Sequence, residues 1–95
     1  MSENKKREKQ KEFTSSYGNK FTFQKVGTAD WVDMLDKVED ASGRTNKPKF
    51  YTTVLKHLVV NPPEMTMNDF DEEPYNEFDE MDEVCDAAVR FQRGK

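Results

Sequence analysis

The segment Asn61-Pro62-Pro63 is the feature of this chain that most constrains its fold. Proline cannot continue a helix and holds the residue before it in an extended conformation, so any helix reaching residue 60 must end there. The charge changes at the same point. Residues 1–60 hold 12 basic and 8 acidic residues, a net charge of +4, whereas residues 61–95 hold 3 and 11, a net charge of −8. The chain therefore has a basic first part and an acidic second part.

The composition limits the chain to one small domain. Of its 95 residues, 34% are hydrophobic and 36% are charged, and the mean hydropathy is −1.04. A chain of this length buries roughly 60% of its unfolded surface, so we expect a stability at the low end of about 5–15 kcal/mol. Seven Phe, three Tyr and one Trp supply much of the apolar area. We expect these aromatic residues to form the core and, where they stay exposed, a binding surface.

The sequence carries no signal for export or for membrane insertion. The single cysteine, Cys85, excludes an internal disulfide. No apolar stretch approaches the roughly 20 residues of a membrane span, and the charged N-terminus lacks the apolar region of a signal peptide. These observations predict a cytoplasmic protein that does not associate with membranes.

The basic part of the chain is predicted to hold a leader, a strand and two helices. Residues 1–16 are too polar to offset the entropy of ordering, which predicts a disordered charged leader before a single domain at 17–95. Residues 20–26 alternate in β-prone types and predict a short strand or hairpin. A helix is expected over 28–42, and the apolar block 50–60 fits a second helix better than a strand. The apolar face of the first helix consists of Trp31, Met34, Leu35 and Val38.

The acidic part is predicted to hold a short turn and a long helix. Asn68 or Asp69 can cap the turn, which carries Phe70, and Pro74 suits the first position of the helix. Apolar residues then recur every three or four positions; they are Tyr75, Phe78, Met81, Val84, Cys85, Ala88 and Phe91. Together the patterns predict a mainly α fold: a small helical domain of three to four helices, one short N-terminal β-strand or hairpin, and a disordered N-terminal leader.

No residue pattern specifies a catalytic or metal site. His57 and Cys85 are the single residues of their types, and no ligand spacing places carboxylates around them for zinc. A Cys-His nucleophile also needs an orienting third group, which the sequence does not specify. A calcium loop beginning at Asp69 would place Pro74 where that loop requires glycine. We therefore expect no enzyme activity, no metal and no cofactor.

The predicted elements follow a recognisable order between Phe21 and Phe91. A strand (FTFQ) is followed by a helix, an apolar helix ending in VVNPP, a turn (NDFD) and an acidic helix ending in AAVRF. This order resembles the small tail assembly chaperones of long-tailed bacteriophages and prophages of Gram-positive bacteria. The VVNPP and NDFD motifs carry most of the resemblance. Relatives often have Pro-Gly where this chain has Val26-Gly27, and its charged leader is atypical of them.

The resemblance implies an assembly factor. Such chaperones coat the tape-measure protein, keep it soluble, help recruit the tail-tube protein and are absent from the mature virion. They are largely α-helical and self-associate. Many are also made in a longer form by ribosomal frameshifting, and Gly94-Lys95 allows a slippery codon run at the end of this gene. A membrane or a nucleic acid is not expected as a partner.

Aromatic residues are the candidates for contacting the tape-measure protein. Phe70 is expected to be an exposed anchor, because it lies in a turn among acidic residues. The candidate protein-binding residues are Trp31, Phe70, Tyr75, Phe78 and Phe91. Trp31 and Phe78 also fit a position in the core. The opposite charges of the two parts of the chain would suit head-to-tail self-association, which salt should weaken.

Two other functions remain open from the sequence. The acidic run 64–86 could imitate DNA and inhibit a nucleic-acid-binding protein, in which case the chain should be a small monomer or dimer. Alternatively, the Lys-rich leader could bind nucleic acid, although a pI near 5.0 opposes this. In that last case, removal of residues 1–16 should abolish activity.

Overall fold

Three α-helices and a three-stranded antiparallel sheet form the domain, which a computed structural model describes for residues 9–94. The elements are β1 (Gln10–Thr14), β2 (Lys20–Gln24), α1 (Thr28–Lys37), α2 (Lys47–Leu58), β3 (Val59–Asn61), a 3-10 helix (Met67–Asp71) and α3 (Glu77–Gln92). About 50% of the residues are helical and 17% are in strands. The predicted mainly α class is therefore wrong, and the chain is a small α+β domain.

A β-hairpin occupies part of the segment predicted to be a disordered leader. β1 pairs with β2 so that Phe13 lies opposite Phe21, and the Phe13 ring stacks on Phe23 at 5.3 Å between centroids. The Ser15 N–H donates to the Asn19 carbonyl at 2.8 Å and closes the turn. The leader prediction is wrong for this segment, because one phenylalanine on the sheet orders a strand whose other side chains stay mostly exposed. Residues 1–8 of the predicted leader lie outside the described residues.

The edge strand β3 lies within the apolar block 50–60 that was predicted to be a single helix. The helix α2 ends at Leu58, and β3 follows at once, with Val59 paired to Phe23 and Asn61 to Thr22. β-branched residues favour extended backbone, and Pro62 holds Asn61 there. The free edge of β2 then supplies hydrogen-bonding partners that the sequence pattern could not reveal.

The core lies between the inner face of the sheet, α2 and α3. Fully buried side chains come from each layer: Phe21 and Phe23 from β2, Val54, Leu55 and Leu58 from α2, and Val84, Cys85 and Ala88 from α3. The apolar period of the last helix is confirmed from Met81 to Phe91. However, α3 begins at Glu77 rather than at Pro74, so Tyr75 lies before it, and Phe78 is exposed. Among the described residues, no helix has the length and apolar character needed to cross a membrane.

The helix α1 is the least buried of the three helices. It ends at Lys37 rather than near residue 42, and Met34 is its buried residue. A tight turn follows, in which the Asp40 carboxylate accepts hydrogen bonds from the backbone of Ser42 and Arg44 and from the Ser42 hydroxyl. These bonds, the one from the Ser42 side chain first, lower the pKa of Asp40. The turn ends α1 early. Of the predicted apolar face, Met34 and Val38 are buried, Trp31 is half-buried and Leu35 is exposed.

Candidate protein-binding surface

Three aromatic rings form a continuous row across α2 and α3. The Phe50 and Tyr51 rings meet edge to face with centroids 5.6 Å apart, and Tyr51 meets Phe78 in the same way at 6.0 Å. Phe78 is 57% exposed, whereas Phe50 and Tyr51 are half-buried. We call Phe50, Tyr51 and Phe78 the aromatic strip. An exposed phenylalanine supported by two further rings provides an anchor for a protein partner.

The start of α2 explains why two neighbouring aromatic residues stay near the surface. Consecutive residues on a helix point about 100° apart, so Phe50 and Tyr51 cannot both face one core. The helix is fixed at its first turn, because the Asn46 side chain accepts a 3.0 Å hydrogen bond from the Lys49 N–H and Pro48 lies at the start. Phe50 is therefore held toward α1, and Tyr51 is held toward α3.

The Tyr51 hydroxyl joins the strip to α3. It donates a 3.0 Å hydrogen bond to Asp82 Oδ1. Burial, together with the hydrogen bond and the charge of Asp82, raises the pKa of Tyr51 to about 12. The phenol is therefore protonated at neutral pH and acts as the donor in this contact. The bond fixes the Tyr51 ring against Phe78.

The apolar surface continues from the strip onto α1. Trp31 and Leu35 lie next to Phe50 where α1 meets α2. Trp31 is half-buried, and Leu35 is 40% exposed. The surface thus runs from Phe78 on α3 across α2 to Leu35 on α1.

Charges of opposite sign lie beside the strip. On α3, the exposed Asp79 follows Phe78 directly, and the exposed Asp82 accepts the hydrogen bond from the Tyr51 hydroxyl at the middle of the strip. On α2, Lys47 and Lys49 are exposed in the first turn, before Phe50. The strip is therefore acidic toward α3 and basic toward the start of α2.

The structure divides the five predicted binding residues between this surface and the core. Phe78 belongs to the strip, and Trp31 lies beside it. Phe70 is 1% exposed and packs with Tyr75 and Phe21 at centroid distances of 5.5 and 6.2 Å. Phe91 is 7% exposed and lies under the Lys25 ammonium, 5.0 Å from its ring centroid. The structure therefore places Phe70, Tyr75 and Phe91 away from the strip.

The expectation that Phe70 is an exposed anchor is wrong. The 3-10 helix turns its side chain into the core, and the turn is fixed by Asp69, whose carboxylate accepts a 2.8 Å hydrogen bond from the Thr66 N–H. Acidic neighbours therefore did not indicate exposure of the aromatic residue between them. Conversely, Phe50 and Tyr51 were missed as surface residues, although their adjacency on one helix signals that at least one lies at the edge of the core.

One carboxylate, Glu80, is fully buried near the start of α3. It accepts hydrogen bonds from Ser15 Oγ at 2.6 Å, Asn19 Nδ2 at 2.9 Å and the Asn76 N–H at 2.9 Å. Burial acts to raise the pKa of Glu80, but the hydrogen bonds outweigh it, so the pKa lies below its usual value. The carboxylate is ionised at neutral pH and saturated by donors. This arrangement fastens the hairpin to α3 and is not that of a general acid or base.

The nucleophile candidates from the sequence lie in different environments. Cys85 is 1% exposed, and burial, with the Asp82 charge as a smaller cause, raises its pKa to about 12. His57 is exposed on α2. Across residues 9–94, no group of three or more His, Cys, Asp or Glu side chains is arranged to hold a metal ion.

An open groove of about 550 Å³ lies beside α2. It is lined by Thr52, Lys56 and residues 64–68, which include Met65 and Met67. No aromatic residue is among those that line this groove. We therefore take the aromatic strip as the better defined candidate for a protein contact.

Comparison with known proteins gives no relative to guide the assignment. No protein-family model matches the chain, and neither a curated protein nor a solved structure is significantly similar to it. A functional argument therefore depends on the residues themselves and on the surface that they form.

Proposed function

We propose that this protein is a tail assembly chaperone of a long-tailed bacteriophage. In this role it binds the tape-measure protein in the bacterial cytoplasm, keeps it soluble, helps recruit tail-tube subunits and is absent from the mature virion. The aromatic strip, in which Phe78 is 57% exposed and Phe50 and Tyr51 are half-buried, is the observation that carries the proposal. A tape-measure protein is a long helical chain that exposes apolar stripes before the tube encloses it, and an aromatic surface on a charged domain can cover such stripes.

The acidic surface supports the same role. The net charge of the chain is −4, and the run 64–86 contains no Lys or Arg. A net charge away from zero keeps a complex with an apolar partner in solution. The chaperone would therefore supply apolar contacts through the strip and solubility through the surrounding carboxylates.

The motifs that suggested the family have structural roles in this fold. Val59–Asn61 forms the edge strand β3, and the NDFD motif forms most of the 3-10 helix that buries Phe70. The sheet departs from the largely helical fold that the resemblance implies. The proposal consequently rests on the order of the motifs and on the aromatic strip rather than on the fold class.

Co-expression with the long coiled-coil protein that is encoded just downstream, the candidate tape-measure protein, tests the proposal. The wild-type chain should keep that protein in the soluble fraction and co-purify with it. Phe78→Ala should lower the co-purified amount at least fivefold. Tyr17→Ala is the matched control, because Tyr17 is also an exposed aromatic residue, at 46%, but lies in the hairpin turn.

The opposite result would favour the other interpretation. If the coiled-coil protein stays insoluble and the wild-type chain purifies alone as a small monomer, the chaperone proposal is wrong. A DNA-mimic inhibitor would then become the leading hypothesis, and a basic nucleic-acid-binding protein would be the partner to seek.

A further inference from the structure

We infer that the outer edge of β1 pairs with the same edge of a second copy of this chain. The product is a two-fold symmetric dimer in which the two three-stranded sheets join into one antiparallel sheet. The contact uses none of the residues of the aromatic strip, so it stands independently of the proposed function.

The two edges of the sheet differ in how well they can accept another strand. The strand order is β1-β2-β3, so β1 and β3 are the edges among residues 9–94. β3 has three residues, its register with β2 is irregular, and Pro62 and Pro63 follow it without N–H groups. Short length, irregularity and proline are features by which proteins block an edge. β1 instead pairs with β2 over five consecutive residues without a register shift, so its outer edge is open to pairing.

The hydrogen bonds of β1 show which backbone groups reach this open edge. The Lys25 N–H donates to the Lys9 carbonyl at 2.9 Å, so the backbone of Lys9 faces β2. Backbone groups of successive residues in a strand point to opposite edges, so the odd-numbered residues of β1 face β2. Glu12 and Thr14 therefore direct their N–H and C=O groups outward. These groups are the donors and acceptors for a second strand.

Phe13 lies at the open edge with one side of its ring covered. It pairs with Phe21 across the hairpin and stacks on Phe23, and both of those rings are fully buried. Phe13 itself is half-buried, because no described strand flanks it on the outer side. Phe13 of a second copy would lie against this ring and extend the aromatic row across the interface. Aromatic pairs of this kind stabilise neighbouring strands.

The charges along β1 select one register. Outward-facing residues must pair with outward-facing residues, so a two-fold axis that pairs three or more residues of each β1 passes beside residue 11, 12 or 13. An axis at the first position places Lys11 opposite Lys11, and an axis at the second places Glu12 opposite Glu12. Like charges directly opposite are destabilising. An axis at the third position places Phe13 opposite Phe13 and Glu12 opposite Thr14, with no like-charged pair.

The same register gives Lys11 an acidic neighbour. Lys11 would lie opposite Ser15 of the second copy, beside Ser16, whose hydroxyl and N–H both donate to the exposed Glu83 at 2.9 Å. The Lys11 ammonium would thus approach the Glu83 carboxylate of the other chain. Two such contacts form in a symmetric dimer, and salt should weaken them.

The dimer should be weak, because this interface is much smaller than a standard one. We expect a dissociation constant of about 10–100 µM. Sedimentation equilibrium of the full-length chain over that range measures it. In parallel, exchange of the Glu12 and Thr14 amide hydrogens should slow about tenfold between dilute and concentrated samples, because pairing protects outward N–H groups.

Two substitutions of Glu12 test the edge contact. Glu12→Pro removes an outward N–H that β2 does not use, so the hairpin should persist while dimerisation weakens about tenfold or more. Glu12→Thr keeps the N–H and is the matched control, with an expected change of less than about threefold. Circular dichroism checks that both variants are folded. Phe78→Ala should leave dimerisation unchanged.

Three single-cysteine substitutions report the register. Lys11→Cys, Glu12→Cys and Phe13→Cys each place two thiols opposite each other for one position of the two-fold axis. Under air with copper–phenanthroline as oxidant, Phe13→Cys should give a disulfide-linked dimer at least about tenfold faster than the other two. The buried Cys85 should not react.

Other results would overturn the inference. A chain that stays monomeric, with the same amide exchange, up to about ten times the expected dissociation constant would exclude the edge contact. A dimer that Glu12→Pro and Glu12→Thr affect equally would place the interface elsewhere. Preferential cross-linking of Lys11→Cys or Glu12→Cys would contradict the assigned register.

Discussion

The Ser15 hydroxyl donates a 2.6 Å hydrogen bond to Glu80, joining residues that are 65 positions apart in the sequence. Next to it, the backbone N–H and hydroxyl of Ser16 donate to Glu83, each at 2.9 Å. The hairpin turn is thereby fastened to two consecutive turns of α3. The contact joins the basic first part of the chain to the acidic second part through neutral donors and carboxylates, not through ion pairs.

Glu80→Gln should destabilise the fold by about 1–3 kcal/mol, because the new amide would turn a donor toward groups that already donate. Those groups are Ser15, Asn19 and Asn76. Urea unfolding at pH 7 measures the loss. Glu72→Gln is the control, since Glu72 is an exposed carboxylate and its substitution should change stability by less than about 0.5 kcal/mol. Equal effects of the two substitutions would contradict the role assigned to Glu80.

The same carboxylate should make stability depend on pH in acid. The pKa of Glu80 in the folded state lies below its usual value of 4.5, so ionised Glu80 stabilises the fold. That contribution is complete above pH 4.5 and is lost as the pH falls through the lower folded-state pKa. The stability difference between wild type and Glu80→Gln should therefore be largest near pH 7 and shrink below pH 4.5. A difference that grows in acid would show that the folded-state pKa is raised.

The buried carboxylate shows where a sequence pattern is informative and where it misleads. Glu80 lies in an acidic run, where a solvated position is the ordinary expectation. However, it stands four residues before Val84 and eight before Ala88, both buried, so the helical period places it on the inner face. The helical spacing therefore indicates the burial of Glu80 better than its residue type does. Its donors, Ser15 and Asn19, lie in a hairpin far away in sequence and could not be foreseen.

The strands were harder to predict than the helices for a related reason. The apolar residues that define the helical period of α3 all lie within its own 16 residues. By contrast, β1 is mostly exposed and β3 has three residues, and each depends on β2 for its hydrogen bonds. Local propensity does not contain that information. The aromatic strip was only partly foreseen, because the position of Tyr51 depends on its contacts with Asp82 and Phe78 across two helices.

Substitution of Phe70 should lower the free energy of unfolding much more than substitution of Phe78. Phe70→Ala removes a ring that is 1% exposed and should cost about 3–5 kcal/mol. Because this could unfold so small a domain, Phe70→Leu provides a milder test, with an expected loss of about 1–2 kcal/mol. Phe78→Ala removes a ring that is 57% exposed and should cost less than about 1 kcal/mol. Urea unfolding compares them, and a larger loss for Phe78 would place it in the core.

Cys85 should be protected from thiol reagents in the folded protein. It is 1% exposed, and burial raises its pKa to about 12, so little thiolate forms at pH 8. Iodoacetamide should label it at least 100-fold more slowly in the folded chain than in 6 M guanidinium chloride. Mass spectrometry of timed samples gives both rates. Comparable rates would mean that the α3 face opens readily to solvent.

Two N-terminal deletions should separate a structural from a nucleic-acid-binding role of the basic segment. Deleting residues 1–16 removes β1, the Phe13–Phe23 stack and the Ser15 bond to Glu80. It should therefore lower stability by about 2–4 kcal/mol through an unsatisfied carboxylate and a lost aromatic pair. Loss of activity in that variant would follow from damage to the fold under any proposed function.

Deleting residues 1–8 gives the sharper test. It removes Lys5, Lys6 and Arg7 but keeps every contact described for residues 9–94. Stability in urea should then change by less than about 0.5 kcal/mol. A chaperone that acts through the aromatic strip should still capture the coiled-coil protein, whereas a regulator that binds phosphates through these cations should lose its affinity and most of its salt dependence. Capture that disappears with residues 1–8 while the fold persists would move the binding surface away from the strip.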